Sequence, residues 1–234
     1  MEINLIDTFF PSYCLLCKRV GAPICTSCIR NKIFVNWNTY CCVCNSKVKK
    51  GFIHDECKSE TYLDGHFFVT SYNEGIKELI MQGKYSYNYH NFEFIALLMR
   101  KFIKFYNITN INNLTILTPI PLSRKKKLAR GFNQSEVICK ELVNIESVEV
   151  VKLLVKVKDL HAQAELNGSE RRENLLGAFK VDTNIAKKLN KECPIILVDD
   201  VFTTGSTLNE CAKTLKEYGF ISVYGYTFAK AGRV

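Results

Sequence analysis

Hydrophobic positions change their spacing several times between residue 62 and the C-terminus, and each change marks a new element. Short, mostly apolar runs predict strands, whereas apolar residues that recur every three or four positions predict helices. The predicted strands lie at 66–72, 114–121, 148–157, 178–182, 194–200 and 221–230. The predicted helices lie at 75–85, 91–106, 135–144 and 207–219, and the basic stretch 122–134 is predicted to be a loop.

This alternation of strands and helices is typical of an α/β fold, in which helices cover both faces of a mostly parallel sheet. Sheets of this kind bind ligands where the carboxyl ends of their strands meet. The most apolar strand ends in Asp199 and Asp200, and hydroxyl-bearing residues with one glycine follow it. We therefore expect a ligand site at the end of this strand.

The residues after the acid pair are suited to hold a phosphate group. Backbone N–H groups at a helix N-terminus and several hydroxyls together form an anion cradle, and a glycine lets the backbone approach the ligand. The two carboxylates instead suit the neighbouring hydroxyls of a sugar, or a magnesium ion. The alternative is an ordinary helix cap, which needs only one such residue. The sequence thus favours a ribose 5-phosphate site, with the phosphate held by Thr203, Thr204, Gly205, Ser206 and Thr207.

The first 60 residues follow a different pattern, with few large apolar side chains and many cysteines. Eight of the eleven cysteines lie there, and most form pairs separated by two residues. This spacing lets a tight turn direct two ligands at one metal ion, and tetrahedral zinc accepts two such pairs. The predicted zinc ligands are Cys14, Cys17, Cys25, Cys28, Cys41, Cys44, His54 and Cys57.

Eight ligands suit two zinc ions, but the spacing leaves open whether neighbouring pairs share an ion or whether the pairs interleave. The alternatives are a single ion with unused pairs, or buried thiols without metal. Buried thiols would explain one or two cysteines, but not four ligand pairs with one spacing. Because metal would supply much of the folding energy here, we predict a zinc-binding module at 1–60 and an α/β domain at 61–234.

The composition of the chain indicates where the protein is located and which partners its charge permits. The chain has 234 residues, of which 47% are hydrophobic, enough for a packed core. No apolar run approaches the roughly 18 residues of a membrane span, and no cationic start indicates export, so we expect no membrane insertion and a cytoplasmic location. Structural disulfides are rare in that compartment. The formal charge of +9 permits binding to nucleic acid without indicating it.

Three sequence blocks carry a resemblance to known proteins. The segment VDDVFTTGST (198–207) resembles the phosphoribosyl pyrophosphate (PRPP) motif of type I phosphoribosyltransferases. With the N-terminal Cys-x-x-Cys pairs, the segments TPIPLSRKKKLARGFNQS (118–135) and QAELNGSERRENLLGAF (163–179) resemble the ComF family of competence proteins. The resemblance covers nearly the whole chain. One departure is His54, where the family often has another cysteine, but histidine is an equally good zinc ligand.

The resemblance implies a sheet of the type I phosphoribosyltransferase type and roles for particular residues. Asp199 and Asp200 would hold the ribose hydroxyls of PRPP, with Mg²⁺ nearby, and would be the catalytic residues of any transfer. The residues at 203–207 would hold the 5-phosphate, and the loop at 119–123 would receive the diphosphate. The candidates to reach that diphosphate are Arg130, Gly131 and Arg171.

Two functions are then in competition. The resemblance implies a cytosolic competence protein that handles incoming single-stranded DNA in natural transformation, with DNA-uptake or recombination proteins as partners. The alternative is an active phosphoribosyltransferase that transfers ribose 5-phosphate from PRPP to a base or an amine. In a third reading the zinc module serves only for dimerisation or docking. The candidate DNA contacts are Lys125, Lys126 and Lys127, for which a solvated charge run is the alternative.

Overall fold

A parallel sheet forms the centre of the protein. The computed structural model describes residues 13–14, 16–21, 24–32, 39–49, 51–85, 89–105, 115–143, 148–158 and 174–232. The strands are β1 (Thr39–Tyr40), β2 (Lys47–Val48), β3 (Gly65–Ser71), β4 (Thr115–Pro119), β5 (Val148–Val150), β6 (Leu154–Lys156), β7 (Phe179–Val181), β8 (Ile195–Phe202) and β9 (Val223–Lys230). The sheet has the order β3-β9-β8-β4-β5, and each neighbouring pair is parallel. The predicted α/β fold is therefore confirmed.

Helices cover both faces of this sheet. They are α1 (Thr26–Lys32), α2 (Glu74–Tyr85), α3 (His90–Phe105), α4 (Arg124–Arg130), α5 (Gln134–Leu142), α6 (Thr183–Ala186) and α7 (Ser206–Glu217). Successive strand residues point to opposite faces. In β8, Ile196 and Val198 therefore pack in the core that contains α2, α3 and α5, while Ile195 and Leu197 pack in the core beneath α7.

The predicted loop at 122–134 is wrong for its first half, because α4 forms there. The Ser123 side chain accepts a hydrogen bond from the Lys126 N–H, and Gly131, at φ 80°, ends the helix in the left-handed conformation. Lysine, arginine, leucine and alanine all favour helices. The charge run concealed this signal, because no residue of α4 is buried and no apolar period marks it.

Two strand boundaries also differ from the prediction. The stretch 148–157 contains two strands, because β5 joins the main sheet whereas β6 pairs antiparallel with β7. Strand β8 continues beyond the acid pair, and its Val201 and Phe202 still pair with β9. The acids therefore lie inside the strand and not on the loop that follows it.

The cysteine-rich region packs directly on the sheet domain. Ile24 and Cys28 belong to the same hydrophobic core as Ile76 and Leu79 of α2. Farther along, the Gly51 carbonyl accepts a hydrogen bond from the His66 N–H at 2.9 Å. The division of the chain into domains at residue 60 remains a prediction. Within the described residues, no helix is long and apolar enough to cross a membrane.

Candidate metal centres and ligand site

The first metal centre joins the first two Cys-x-x-Cys pairs. The sulfur atoms of Cys14, Cys17, Cys25 and Cys28 all lie within 4.8 Å of one another. Cys17 Sγ lies 3.6 Å from Cys25 Sγ, and the Cys25 N–H donates to Cys14 Sγ at 3.4 Å. Zn–S bonds of about 2.3 Å in a tetrahedron place the sulfurs about 3.8 Å apart. The donor set and its spacing therefore fit a zinc ion.

The second centre joins the remaining two ligand pairs. The ligand atoms of Cys41, Cys44, His54 and Cys57 also lie within 4.8 Å of one another, with His54 Nδ1 3.3 Å from Cys44 Sγ. The backbone N–H of Ser46 is the main cause that lowers the pKa of the Cys44 thiol to about 6. This shift favours the thiolate that zinc requires. Three sulfurs and one imidazole are a ligand set typical of structural zinc sites.

The two centres settle the pairing that the spacing left open. Neighbouring ligand pairs share a centre, and the pairs do not interleave. Cys42 belongs to neither group and lies half-buried beside the core under α7. The structure thus provides two sites that could each hold zinc.

The acid pair lies at the centre of the sheet and is already engaged by side chains of the protein. The Asp200 side chain is nearly buried, and its Oδ1 accepts a hydrogen bond from Gln134 Nε2 at 3.1 Å. Its Oδ2 accepts no hydrogen bond from the described residues, but the Lys84 ammonium lies 2.6 Å away as a counter-ion. Asp199 Oδ1 accepts from Ser135 Oγ at 2.9 Å and from the Asp200 N–H at 2.9 Å. Among the described residues, the buried Oδ2 of Asp200 is therefore held by the lysine ammonium alone.

Burial and neighbouring charges shift the pKa values of the two acids in opposite directions. Burial, with the adjacent charge of Asp200, raises the pKa of Asp199 to about 7. Burial also acts on Asp200, but the Lys84 ammonium outweighs it and holds the pKa of Asp200 below its usual value. Two carboxylates this close cannot both ionise at low cost. Asp200 is therefore the ionised member, and Asp199 titrates near neutral pH.

The predicted phosphate loop lies between β8 and α7. Gly205 has φ 74° and occupies the N-cap position, and Thr204 Oγ1 lies 2.8 Å from Ser206 Oγ. Thr203 and Thr204 are exposed, whereas Ser206 is buried. The N–H groups of the first helical turn have no partner within the helix and carry partial positive charge. These hydroxyls and N–H groups suit an anion.

An aromatic support lies beneath this loop. The Phe202 ring packs against Gly205, so that a Cβ added there would come within 2.9 Å of Phe202 Cε2. The ring also contacts the His66 imidazole, with centroids 4.2 Å apart. His66 is fully buried, and its burial lowers its pKa to about 3. His66 is therefore a neutral core residue, as its isolated position in the sequence indicates.

The predicted diphosphate loop begins beside the acid pair. Pro119 pairs with Val198, and the Ile120 N–H donates to the Val198 carbonyl at 3.0 Å. Beyond the loop, Arg130 Nη1 donates to Gln134 Oε1 and so joins the network around Asp200. The N–H of Gly131 donates to the Lys127 carbonyl at 2.9 Å, which ends α4.

The remaining predicted residues divide between α4 and the part of the chain outside the described residues. Lys125 and Lys126 are exposed on α4, whereas the Lys127 ammonium lies 3.1 Å from Glu136. Arg171 lies outside the described residues. The structure therefore brings Arg130 to the acid pair and leaves the lysines on the surface.

Sequence reasoning missed Lys84, Gln134 and Ser135 as members of the site. Gln134 and Ser135 lie in the RGFNQS block, so proximity to Arg130 was a usable signal. Lys84 lies in the last turn of a short amphipathic helix, where a lysine is usual because it interacts with the helix dipole. Only the packing of α2 reveals its contact with Asp200.

Fold and centres together define a class of protein: an α/β protein with a sheet like that of type I phosphoribosyltransferases and N-terminal Cys/His clusters that could bind zinc. No protein-family model matches the chain. Competence protein F of Haemophilus influenzae is 27% identical over 231 residues, which cover 95% of this chain and 99% of that protein. Competence protein ComFC of Streptococcus pneumoniae is 27% identical over 214 residues, or 91% and 83% of the two chains. Over most of its length the chain is therefore similar to proteins named competence protein F and ComFC.

A further relative has a different name. The DNA utilization protein YhgH of Salmonella typhimurium is 26% identical over 157 residues, which cover 66% of this chain and 67% of that protein. Similarity to proteins of both names extends over most of the chain.

Proposed function

We propose that this protein acts in DNA uptake, where it handles incoming single-stranded DNA and binds PRPP, or a related phosphorylated ribose, together with Mg²⁺. The names of its relatives, competence proteins and a DNA utilization protein, support the DNA role. The geometry of the sheet edge supports the ligand.

One observation carries the ligand proposal: three ligand-binding segments meet at neighbouring strands. Strands β4 and β8 pair in parallel, so the loop after Pro119 begins next to Asp199 and Asp200. The hydroxyl loop follows β8 only three residues after the acid pair. In this proposal the loop after β4 is the diphosphate subsite, the acids bind two hydroxyls, and the hydroxyl loop is the anion cradle.

The residues of the chain divide the binding work in this proposal. Asp200 accepts the hydrogen bonds of the ribose hydroxyls, and Asp199 joins it when ionised. The hydroxyls of Thr204 and Ser206, with the N-terminal N–H groups of α7, hold the 5-phosphate. Carboxylate oxygens are the ligands that Mg²⁺ prefers, and the buried Oδ2 of Asp200 fits such a partner. Bound Mg²⁺ would neutralise charge on the diphosphate.

Helix α4 supports the DNA half of the proposal. No residue of this helix is buried, so packing does not constrain its basic sequence. Only four residues separate it from the end of β4, so its basic residues follow directly on the predicted diphosphate loop. Exposed lysines bind a phosphate backbone largely without regard to base sequence.

The salt dependence of DNA binding tests this surface. Lys125→Ala/Lys126→Ala should lower the slope of log affinity against log salt by roughly 0.7 for each lost phosphate contact. Lys187→Ala/Lys188→Ala is the matched control, because these exposed lysines lie before the amino end of β8 and carry the same charge. Fluorescence anisotropy with an unstructured oligonucleotide provides the measurement. Equal slopes in both double variants would remove α4 from the proposal.

Calorimetry tests the ligand half. PRPP should bind in the presence of Mg²⁺, and Thr204→Val should weaken it by about tenfold, because a hydrogen bond to a charged phosphate contributes about 1.5–3 kcal/mol. Thr214→Val, within α7 and away from the loop, is the control. Pyrophosphate release with a panel of bases and amines distinguishes a binding protein from an active transferase. Absence of PRPP binding by the native protein would refute this half.

A further inference from the structure

A lysine that the predicted ligand roles do not use lies against the acid pair. Lys84 is in the last turn of α2, and its Nζ lies 2.6 Å from Asp200 Oδ2. The side chains of Lys84 and Asp200 are only 20% and 4% exposed. Holding a long side chain in such a place costs both solvation and conformational entropy. A surface lysine with a chance contact would not incur these costs.

Other side chains bind one oxygen of each acid, and Lys84 contacts a different oxygen. Gln134 satisfies Asp200 Oδ1, and Ser135 satisfies Asp199 Oδ1. The buried Asp200 Oδ2 atom, in contrast, has the Lys84 ammonium as its charged partner and accepts no hydrogen bond from the other described residues. A ligand hydroxyl or cation that engages this oxygen must therefore share it with the ammonium or displace the ammonium.

We propose that Lys84 is an exchangeable counter-ion of the acid pair: it neutralises Asp200 in the free protein and transfers to the diphosphate when the ligand binds. The diphosphate part rests on the proposed function. Lys84 is then a binding residue with two partners in turn. Its ammonium repels a bare divalent cation from Asp200, so a cation enters the site only together with a polyanion.

The charges predict opposite effects of removing Lys84. Without the ammonium, Asp200 loses its nearest counter-ion, although Arg130 remains in the network around it, and the buried carboxylate attracts a bare cation more strongly. The diphosphate, in contrast, loses a charge-assisted contact, which contributes about 1.5–3 kcal/mol and hence about tenfold or more in affinity. If Lys84 had only a structural role, its removal would not raise the affinity for a bare cation while lowering the affinity for the diphosphate ligand.

The test compares Lys84→Met with Lys77→Met in the full-length zinc-loaded protein. Lys77 lies on the same helix, but it is half-exposed and pairs with Glu74 at the surface. Mn²⁺ alone, followed by water proton relaxation, is the first probe, since this oxygen-seeking ion does not prefer the thiolate clusters. PRPP with Mg²⁺, followed by calorimetry, is the second probe.

We expect Lys84→Met to bind Mn²⁺ about tenfold more tightly and PRPP about tenfold more weakly, with Lys77→Met unchanged. If Lys84→Met shows no melting transition, Lys84→Gln replaces it, because its amide can still donate to Asp200. Lys84→Arg should keep both affinities near those of the native protein. Unchanged Mn²⁺ affinity in the neutral variant overturns the counter-ion role. If native protein does not bind PRPP, the exchange step is overturned with the proposed function, and the Mn²⁺ comparison alone decides on the counter-ion.

Discussion

The Cys/His centres and the acid pair concentrate polar groups in opposite ways. In each centre, four ligand atoms converge within 4.8 Å, and the strands beside the second centre are only two residues long. At the acid pair, an eight-residue strand fixes the carboxylates, and Lys84, Gln134 and Ser135 already contact them. We therefore expect the centres to depend on metal, whereas side chains of the protein hold the acid pair in place.

This difference predicts which change affects folding and which affects binding. Converging thiolates repel one another unless a cation lies between them, so metal removal should act on the structure. The acid pair is neutralised from within, so loss of its ligand should leave the fold intact. Changes to its internal partners should affect both stability and affinity.

Zinc removal should have the largest effect. Purified protein should contain two zinc ions per chain, and chelation should disorder both centres, since structural zinc contributes on the order of 10 kcal/mol in small modules. Because Ile24 and Cys28 share a core with α2, hydrogen exchange should rise in α2 as well, while β8 stays protected. Elemental analysis and exchange mass spectrometry measure these outcomes.

Single cysteine variants sharpen this prediction. Cys25→Ser should lower the zinc content from two to one, and Cys193→Ser, outside both centres, should leave it at two. Equal loss of zinc from both variants would contradict the assignment of the first centre. Exchange confined to the centres, without any effect on α2, would instead favour an independent module at 1–60.

Asp200→Asn should have the next largest effect. It leaves the Lys84 ammonium without its counter-ion, which we expect to cost about 3 kcal/mol, the lower end for breaking a buried pair, because Lys84 is partly exposed. The neutral double variant Lys84→Met/Asp200→Asn should regain much of this loss. Urea unfolding of the two single variants and the double variant measures the coupling. Strictly additive losses would show that the ion pair does not stabilise the fold.

From the sequence, the acid pair could be identified as a candidate site, but the residues that surround it in the fold could not. The apolar run of β8, its two acids and the hydroxyl loop are continuous in sequence, so one local pattern contains them. That pattern placed the acids at the end of the strand. Pairing with β9 extends strand β8 as far as Phe202, and Lys84 contacts Asp200 from a segment that is distant in sequence. The spacing of residues along the chain shows neither feature.

The metal centres were the easier prediction, because ligand identity and spacing are local properties. Which pairs share an ion depends on how the chain folds back, and the same spacing allows several pairings. Helix α4 was missed for the opposite reason, since the apolar period that identifies helices is absent from a helix without buried residues.

Gly205→Ala should have a smaller effect that is specific to the phosphate loop. The left-handed φ of 74° and the Phe202 ring, which packs against His66, both oppose a Cβ, so we expect a loss of about 2 kcal/mol and weaker PRPP binding. Gly219→Ala is the control, because Gly219 also has positive φ, at 112°, but a Cβ there would meet nothing within 4 Å. Unfolding and calorimetry on both variants separate backbone strain from crowding. Equal ligand affinity in the two variants would contradict a role for the loop.

The smallest expected effect is a pH dependence that separates the two acids. Since the pKa of Asp199 is raised to about 7, its ionisation opposes folding as pH rises from its unfolded value near 4 through 7. The lowered pKa of Asp200 has the opposite sign, and the stability that it contributes is lost only in acid. In the proposed function a ribose hydroxyl donates to the ionised carboxylate, so Mg²⁺-dependent PRPP affinity should rise about tenfold between pH 6 and pH 8. Because PRPP itself also titrates, Asp199→Asn serves as the control. Calorimetry between pH 6 and pH 8 should show that PRPP affinity depends less on pH in this variant than in the native protein. The same pH dependence in variant and native protein would mean that Asp199 does not hold the ligand, leaving Asp200 and its lysine as the functional half of the pair.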